Sequence, residues 1–380
     1  MESSSEIDPT RAGDRPITPT RPVHGGIKPA ELRALGLTPD EVLDFSASIS
    51  PLGPPAGVRD ALSRVDLAAY PDPHCLELRE ALSRHLSGSR RGSVPVERIL
   101  VGNGSTEIIH LLARVWLSPP RPGTGDTAFL LTPTYGEYEG ACRLAGAGTS
   151  CQDAVSRPGF RWDLDLAARQ IARERPSLVF VCNPNNPTGV FLERAEVDLL
   201  AEATSEAGGL LVVDEAYVSF ADNPWDSQAL LDRGDVVLLR SMTKDYALTG
   251  LRLGFCLASE DVTRRLAAFQ PDWSVNGMAQ AAGLAALADG GYLPRARLAV
   301  AQAKEYLTAQ LTGLGFGVPP SAANFLLVKV GDAASWRDRL MRKGLFVRDC
   351  ASFGLPQYIR VGIRPLPDCR LLVEAVAELR

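Results

Sequence analysis

The feature that most constrains the fold of this chain is a succession of short apolar runs, each followed by a loop and a helix-like segment. The runs are RILV (98–101), TAFLLTP (127–133), SLVFVCNP (177–184), GGLLVVDEAY (208–217) and DVVLLRS (235–241). Runs of this length and apolar content are typical of strands in a parallel sheet that is covered on both faces. Their alternation with helices predicts an α/β fold.

The pattern changes after the last of these runs. An Ala-, Leu- and Arg-rich helical stretch spans 277–313, and short strands such as NFLLVKV (324–330), LFVRDC (345–350) and YIRVGI (358–363) then alternate with helices. This order predicts a smaller α+β domain. We therefore expect a disordered tail (1–20), an N-terminal arm that forms part of the small domain (21–55), a large ligand-binding domain (56–270), and a long helix with the C-terminal small domain (271–380).

Composition excludes several classes of protein. The 380 residues carry a net charge of -5 without a basic block, which argues against nucleic-acid binding. No apolar run reaches the length of a membrane span, and the polar N-terminus lacks the apolar core of a signal peptide, so we expect a cytoplasmic protein. The seven cysteines are scattered and form no CxxC pair, which predicts reduced thiols rather than a metal site or disulfides.

Polar side chains gather where the predicted strands end. These positions are Asn103–Thr106, Tyr135, Asn183–Gly189, Asp214 with Tyr217, and Ser241 with Lys244. Each group alone also fits a structural role, since GNGST suits a turn with a helix cap and NPNNPTG suits turn geometry. Because ligands bind at the carboxyl ends of strands in open α/β sheets, five such groups together predict a ligand site.

Lysines are few in this chain, and one of them stands apart. Four of the five occupy positions expected at the surface, on helices or on a solvent-facing strand position: Lys28, Lys304, Lys329 and Lys343. Lys244 alone follows a buried strand at the predicted ligand site. A partly desolvated lysine has a lowered pKa and can condense with an aldehyde. The aldehyde cofactor that proteins hold in this way is pyridoxal phosphate (PLP).

PLP requires further groups, and the strand ends offer them. Asp214 can keep the pyridine nitrogen protonated, Asn186 and Tyr217 can hydrogen-bond the 3-oxygen, and Tyr135 can stack on the ring. The cofactor phosphate can be bound by backbone N–H groups at a helix start, by hydroxyl groups and by a guanidinium. The candidates for this cradle are Gly104, Ser105, Thr106, Ser241 and Arg252.

Taken together and in this order, NPNNPTG, LLVVDEAY and SMTKDYALTGLRLG resemble the class I/II aminotransferase family of fold-type I PLP enzymes, from about His24 to the C-terminus. The resemblance implies a large domain with a mostly parallel sheet covered by helices, plus a smaller α+β domain. It also implies that Lys244 forms the Schiff base with PLP and that Arg360 binds the substrate α-carboxylate. Tyr70 would reach the PLP phosphate of the partner subunit, in a homodimer with shared active sites.

Two branches of this family act on phosphorylated substrates, histidinol-phosphate aminotransferase and threonine-phosphate decarboxylase. HGG, LDFSASISPLGPP, PDWSVN and FVRDCASFGL resemble the second branch. There, His24 and Arg348 are expected near the substrate phosphate. The branch commonly has Asn at Ser48 and Ser50, in a loop that lines the substrate pocket, so this chain departs from the pattern at both positions.

The expected function is therefore that of a PLP-dependent enzyme acting on a small phosphorylated amino acid, most like a threonine-phosphate decarboxylase. The alternatives are an aminotransferase similar to the histidinol-phosphate enzymes, or a relative recruited to specialised metabolism. A PLP-binding regulator fused to a DNA-binding module would need a helix-turn-helix segment, and the residues before the family match are too few and too polar for one. A purely structural role conflicts with the set Lys244, Asp214 and Arg252.

Overall fold

The computed structural model describes Pro22 and residues 24–87, 94–117 and 127–380, so the predicted tail at 1–20 lies outside the described residues. The strands are β1 (Leu43–Asp44), β2 (Ile99–Asn103), β3 (Thr127–Thr132), β4 (Gly148–Asp153), β5 (Leu178–Cys182), β6 (Leu210–Asp214), β7 (Val236–Ser241), β8 (Leu253–Leu257), β9 (Phe325–Lys329), β10 (Leu345–Phe346), β11 (Arg348–Asp349) and β12 (Tyr358–Gly362). The helices are α1 (Pro29–Leu35), α2 (Gly57–Ser63), α3 (Leu76–Leu86), α4 (Gly104–Leu117), α5 (Glu137–Leu144), α6 (Leu164–Glu174), α7 (Arg194–Ala207), α8 (Met242–Asp245), α9 (Glu260–Ala267), α10 (Gly277–Ala288), α11 (Tyr292–Gly313), α12 (Ala333–Met341) and α13 (Leu366–Leu379).

The largest element of the fold is a seven-stranded sheet in the order β2-β8-β7-β6-β5-β3-β4. Its pairs from β4 to β7 are parallel, whereas β8 runs antiparallel to both β7 and β2. Strand β2 therefore points the same way as β7, and the carboxyl ends of β2, β3, β5, β6 and β7 meet at one edge. The predicted α/β fold with a mostly parallel sheet is confirmed.

The sheet is buried on both faces, which explains the nearly continuous apolar runs. In β6, Leu211 and Val213 join one core cluster while Leu210 and Val212 join the other. This alternation follows from side chains pointing to opposite faces along a strand. Helices α6 and α7 contribute to the first cluster and α4, α5 and α9 to the second, so the central strands need apolar side chains on both faces, whereas the edge strand β4 is mostly exposed and polar.

The C-terminal part of the chain forms a three-stranded antiparallel sheet in the order β11-β12-β9 and a parallel pair of β1 with β10. The single strand predicted over LFVRDC is wrong in one respect. Its first half pairs with β1 and its second half with β12, so the strand is divided at Val347 between two sheets. Strand β1 lies near the start of the described chain, and the N-terminal arm is thus joined to the C-terminal part.

The long helix predicted over 277–313 is two helices, α10 and α11, separated by Asp289, Gly290 and Gly291. Helix α10 packs against α2, α3 and β8 of the larger unit, whereas α11 packs mainly against α13 and also contacts β9 and the turn Val218–Phe220 after β6. We therefore propose that the boundary of the large domain lies between α10 and α11 rather than at 270. Throughout the described ranges, α11 included, no helix is both long and apolar enough to cross a membrane.

Candidate active site

A cavity of about 500 Å³ lies at the edge where the parallel strands end. The structure brings nine of the predicted cofactor residues together in its wall: Ser105, Thr106, Tyr135, Asn186, Asp214, Tyr217, Ser241, Lys244 and Arg252. Gly104 lies directly behind the wall, in contact with Arg252. Of the predicted substrate residues, His24, Ser48, Arg348 and Arg360 also line the cavity, whereas Ser50 does not.

Lys244 enters the cavity from α8, the short helix that follows β7. Burial lowers the pKa of its amine from 10.5 to about 8, with further lowering by the positive charges of Arg360 and Arg252. The carboxylate of Asp214 opposes this shift. The amine therefore becomes uncharged at a much lower pH than an ordinary lysine, and the uncharged form is the one that can act as nucleophile or base.

Asp214 ends β6 at the floor of the cavity and is only 3% exposed. Its carboxylate accepts hydrogen bonds from the Tyr138 hydroxyl at 2.8 Å and from the Ala216 backbone N–H at 3.0 Å. Burial nevertheless raises the pKa of Asp214 to about 6. A buried carboxylate of this kind is stabilised by a cationic partner, and a protonated ring nitrogen would be such a partner.

An anion cradle forms where α4 begins. Gly104 has a φ of 74°, and a Cβ atom at this position would lie 2.6 Å from Arg252 Nη2. A Cβ atom on Gly254 would lie 2.5 Å from the backbone nitrogen of Ser105. Only glycine allows this close approach, which brings the guanidinium of Arg252 and the first N–H groups of α4 together.

Hydroxyl groups complete the cradle. Ser241 Oγ and Thr243 Oγ1 lie 2.6 Å apart at the end of β7, and both residues line the cavity next to Lys244. Arg252 has a left-handed backbone (φ 59°), which is uncommon for a residue with a side chain and frequent at functional sites. Thr243 was missed by the sequence reasoning, although it lies in the same SMTK motif as Ser241.

The three asparagines of the loop after β5 differ in what they do. Asn183 exchanges two hydrogen bonds with the backbone of Leu192, at 3.0 and 2.7 Å. Asn185 donates to a backbone carbonyl and to a threonine hydroxyl, so it holds the loop together. Asn186 alone lines the cavity, where its Oδ1 accepts from Arg360 and leaves the amide N–H groups for a ligand.

Arg360 and Arg348 form the opposite wall. Arg360 is 5% exposed, lies over the ring of Phe325 and donates to the Ser46 carbonyl at 2.9 Å as well as to Asn186. Its Nε–H is buried without a partner in the described part of the chain. Arg348 donates to a serine hydroxyl at 2.6 Å, and burial together with the charge of Arg360 lowers the pKa of its guanidinium. Two buried guanidinium groups therefore lie side by side in this wall of the cavity.

Ser48 and Ser50 have different environments. Ser48 lines the cavity, is 2% exposed, and has an Oγ without a hydrogen-bond partner among the described residues. Ser50 lies behind the wall, where its N–H donates to the Lys244 carbonyl at 2.9 Å and its Oγ accepts from the Tyr292 hydroxyl at 2.7 Å. Of the two, Ser48 is thus in a position to contact a ligand, while Ser50 anchors the loop.

The two remaining predicted residues lie at the periphery. Tyr70 does not line the cavity of its own chain; it is 81% exposed and stacks on Trp273 with ring centroids 4.7 Å apart. His24 lies at the cavity mouth, with Nε2 2.7 Å from the Glu137 carboxylate. Glu137 and Tyr138 were missed by the sequence reasoning; the only available signal was the EY pair that follows Tyr135 at the start of α5.

Comparison with known proteins gives the family. The family model for aminotransferase class I and II matches residues 40–376. The chain belongs to this family. It is 37% identical over 369 residues to the histidinol-phosphate aminotransferase of Symbiobacterium thermophilum, with 95% of each chain covered. It is 34% identical over 361 residues to the threonine-phosphate decarboxylase of Salmonella typhimurium, covering 93% of this chain and 95% of that protein.

Solved structures of the family agree with the fold described above. The histidinol-phosphate aminotransferase of Sinorhizobium meliloti, in complex with pyridoxal-5'-phosphate, superimposes with a TM-score of 0.79 at 27% identity, covering 93% of this chain and 96% of that one. The aspartate aminotransferase of Thermus thermophilus with maleate gives a TM-score of 0.78 at 25% identity, covering 92% and 94%. The predicted fold-type I architecture is confirmed.

Membership of this aminotransferase family makes the chain an enzyme, and it implies PLP as the cofactor of the family. Relatives with either predicted reaction are present, which confirms the expectation of an aminotransferase or a decarboxylase. Histidinol-phosphate aminotransferases predominate among the relatives. The comparisons thus support the alternative, transamination, better than the decarboxylation that the sequence reasoning had put first.

The residues of the cavity fit PLP in size, charge and chemistry. A glycine-lined helix start with a guanidinium and two hydroxyl groups suits a phosphate. The buried carboxylate of Asp214 suits a protonated ring nitrogen, and the amine of Lys244 lies in the same cavity. Tyr135 lines the space between these groups and packs edge-on against Tyr138. No group in this set is out of place for the cofactor of an aminotransferase.

Proposed function

We propose that this chain is a PLP-dependent aminotransferase whose amino donor carries a phosphate group, as histidinol phosphate does. The observation that carries the proposal is that one cavity contains both the groups suited to PLP chemistry and a set of arginines suited to binding anions. Lys244 and Asp214 stand at its base, and three arginines line its wall, of which Arg348 and Arg360 are buried and Arg252 is exposed. Two of these arginines lie outside the cofactor cradle, where a substrate anion can be bound.

PLP, when bound, supplies an aldehyde that takes up an amino group and a ring that withdraws electrons from the substrate Cα. The amine of Lys244, largely uncharged above its lowered pKa of about 8, would accept the proton from Cα and return it during transfer. Asp214 would hold the proton on the ring nitrogen. Its burial supports this role, because an isolated carboxylate at such a site gains most from a cationic partner.

Substrate binding would rest on the wall opposite the cradle. After its two hydrogen bonds, Arg360 retains further N–H groups and an Nε–H that has no partner among the described residues, so it can still bind a carboxylate or phosphate. Arg348 lies beside it on the paired strand. An aminotransferase binds an anionic donor and an anionic oxo acid in turn, and a pair of adjacent guanidinium groups can serve both.

Decarboxylation of threonine phosphate is the second candidate. It is favoured by the 34% identical threonine-phosphate decarboxylase and by the segments around His24 and Arg348, which resemble that branch. The two reactions differ in which bond at Cα is cleaved. The position of the substrate carboxylate decides this. Of the two serines that differ from the branch, Ser48 lines the cavity, and its hydroxyl has no hydrogen-bond partner among the described residues.

We further propose that the protein acts as a homodimer with shared active sites. Tyr70 and Leu67 are 81% and 78% exposed, and Tyr70 stacks on the partly exposed Trp273. Such an exposed aromatic pair is typical of an interface. Mixing a Tyr70→Phe variant with a Lys244→Ala variant should restore activity, because each hybrid dimer regains one intact site. No recovery on mixing would count against shared sites.

The function is tested with purified protein loaded with PLP. Histidinol phosphate plus 2-oxoglutarate should yield glutamate, and O-phosphothreonine alone should release no carbon dioxide. The Lys244→Ala variant should be inactive, and borohydride should no longer fix the cofactor to the chain. Carbon dioxide release from O-phosphothreonine without glutamate formation would establish the decarboxylase instead. Inactivity in both assays would overturn the proposed substrate class.

A further inference from the structure

A carboxylate at the cavity mouth bridges two histidines. Glu137, the first residue of α5, is 7% exposed, with Oε1 2.7 Å from His24 Nε2 and Oε2 3.0 Å from His110 Nε2. The hydrogen bonds from His110 and His24 lower the pKa of Glu137 to about 2, so the carboxylate is ionised at neutral pH. Of the three residues, His24 and Glu137 line the cavity, whereas His110 lies behind them on α4.

The bridge determines which atoms of His24 are available to a ligand. An ionised carboxylate only accepts hydrogen bonds, so each imidazole must carry a proton on the Nε2 that faces Glu137. For His24 this leaves Nδ1 as the nitrogen available to a ligand, and a ring that carries protons on both nitrogens donates a hydrogen bond from Nδ1. His110 occupies the second oxygen of Glu137 and so prevents the carboxylate from rotating freely.

The backbone around His24 is held as firmly as its side chain. Pro22 packs against α5, where a Cβ atom on Gly140 would lie 3.0 Å from the proline ring. Gly26 donates its N–H to Ser46 Oγ at 2.7 Å, and a Cβ atom on Gly25 would lie 2.3 Å from the Ser46 carbonyl. Ser46 in turn accepts from Arg360. His24 therefore has a defined position between α5 and the substrate-binding arginines.

We propose that Glu137, backed by His110, is a positioning residue that orients His24 as a donor to the second anionic group of the substrate, and so sets the preference for phosphorylated over unphosphorylated amines. This inference rests on the proposed function. It gives a role to Glu137 and His110, which lie outside the three motifs that indicate the family. Both residues act on the substrate only through His24. Glu137 itself, being negative, repels a substrate phosphate and does not bind it.

The test compares histidinol phosphate with histidinol as amino donors, using the PLP-loaded enzyme and 2-oxoglutarate. In Glu137→Gln, the KM for histidinol phosphate should rise about tenfold or more, since a charge-assisted contact is weakened. The KM for 2-oxoglutarate should stay close to that of the wild type. His110→Gln should shift the same selectivity by less. The matched control is Glu139→Gln, two positions further along α5, where the side chain is exposed and pairs with Arg143.

A double-mutant cycle separates positioning from a general structural effect. Because Glu137 acts through His24, Glu137→Gln should add nothing to the selectivity already lost in His24→Ala. Additive losses, or a Glu137→Gln enzyme that keeps its preference for the phosphorylated donor, would overturn this inference alone. A wild type without that preference would overturn the proposed function as well. If the decarboxylation assay responds instead, O-phosphothreonine and threonine replace the two donors.

Discussion

Arg348 and Arg360 lie directly opposite each other on the antiparallel strands β11 and β12, and both residues line the cavity that contains Lys244. Like charges at opposed positions of a β pair destabilise it by about 0.2–1 kcal/mol, and burial increases the cost. The lowered pKa of Arg348, caused by burial and by Arg360, reflects this repulsion. An anion that binds between the two guanidinium groups would therefore reduce the repulsion between them.

Replacing one of these arginines should weaken anion binding without lowering the thermal stability of the protein. In anion-free buffer, Arg348→Gln should have a melting temperature equal to or above that of the wild type. Added inorganic phosphate should stabilise the wild type but have little effect on the variant. The measurement uses PLP-loaded protein, so that phosphate does not compete for the cofactor cradle. Arg342→Gln, which removes an exposed ion pair with Asp338, is the control. Equal stabilisation of all three proteins by phosphate would contradict the prediction.

The capture of PLP by the apoprotein should depend on pH with a midpoint near 8. Only the free amine of Lys244 attacks an aldehyde, and burial with the nearby arginines lowers its pKa from 10.5 to about 8. The rate of capture should therefore be half-maximal near pH 8 and level off at higher pH, as followed by visible absorbance. Removing a positive neighbour raises the pKa, so Arg360→Gln should shift this midpoint to higher pH. A wild-type midpoint near 10 would argue against a desolvated amine.

Alanine substitutions at Ser48 and Ser50 should have different effects, one on substrate binding and the other on stability. Ser50→Ala removes a buried hydrogen bond with Tyr292 and should cost about 0.5–1.5 kcal/mol of stability. Ser48→Ala removes no hydrogen bond within the described chain and should leave the melting temperature unchanged while altering the KM of the substrate. Thermal denaturation and steady-state kinetics on both variants test this. A destabilised Ser48→Ala with unchanged KM would contradict the assignment.

Gly104→Ala should weaken PLP binding beyond its effect on stability. Gly36, at the end of α1, has a similar positive φ (68°, against 74° at Gly104), but a Cβ atom there would meet nothing within 4 Å. Both substitutions should cost about 1–2 kcal/mol through backbone strain. Only Gly104→Ala should also displace Arg252 and reduce the affinity for PLP, measured by titration of the apoprotein. Equal PLP affinity in the two variants would count against the cradle.

The sheet and the cofactor residues could be predicted because both leave local signals. Strands buried on two faces must be apolar throughout, so runs such as LLVV in β6 are visible without a partner. The cofactor residues each follow such a run, and the parallel arrangement brings their ends to one edge. Lys244 stood out for the same reason, as the one lysine directly after a buried strand.

Contacts between distant segments could not be predicted in this way. Asn186 was chosen from NPNNPTG as a cofactor residue, but the motif does not show that Asn183 and Asn185 hold the loop through hydrogen bonds to distant backbone and side-chain groups. The bridge from Glu137 to His24 and His110 depends on where α5 packs, and no spacing in the sequence encodes that. By contrast, the break between α10 and α11 was foreshadowed by the DGG at 289–291, since glycine is unfavourable within a helix.

The pairing of β1 with β10 has a consequence for the order in which the molecule can form. Leu43 finds its partner, Leu345, only when nearly the whole chain has been synthesised. The large sheet ends at β8 and can be completed well before that point. The arm that carries His24 and Ser48 must wait for the C-terminal strands, which also supply Arg348 and Arg360. During synthesis, a half able to bind the cofactor is therefore expected to precede a half able to select the substrate.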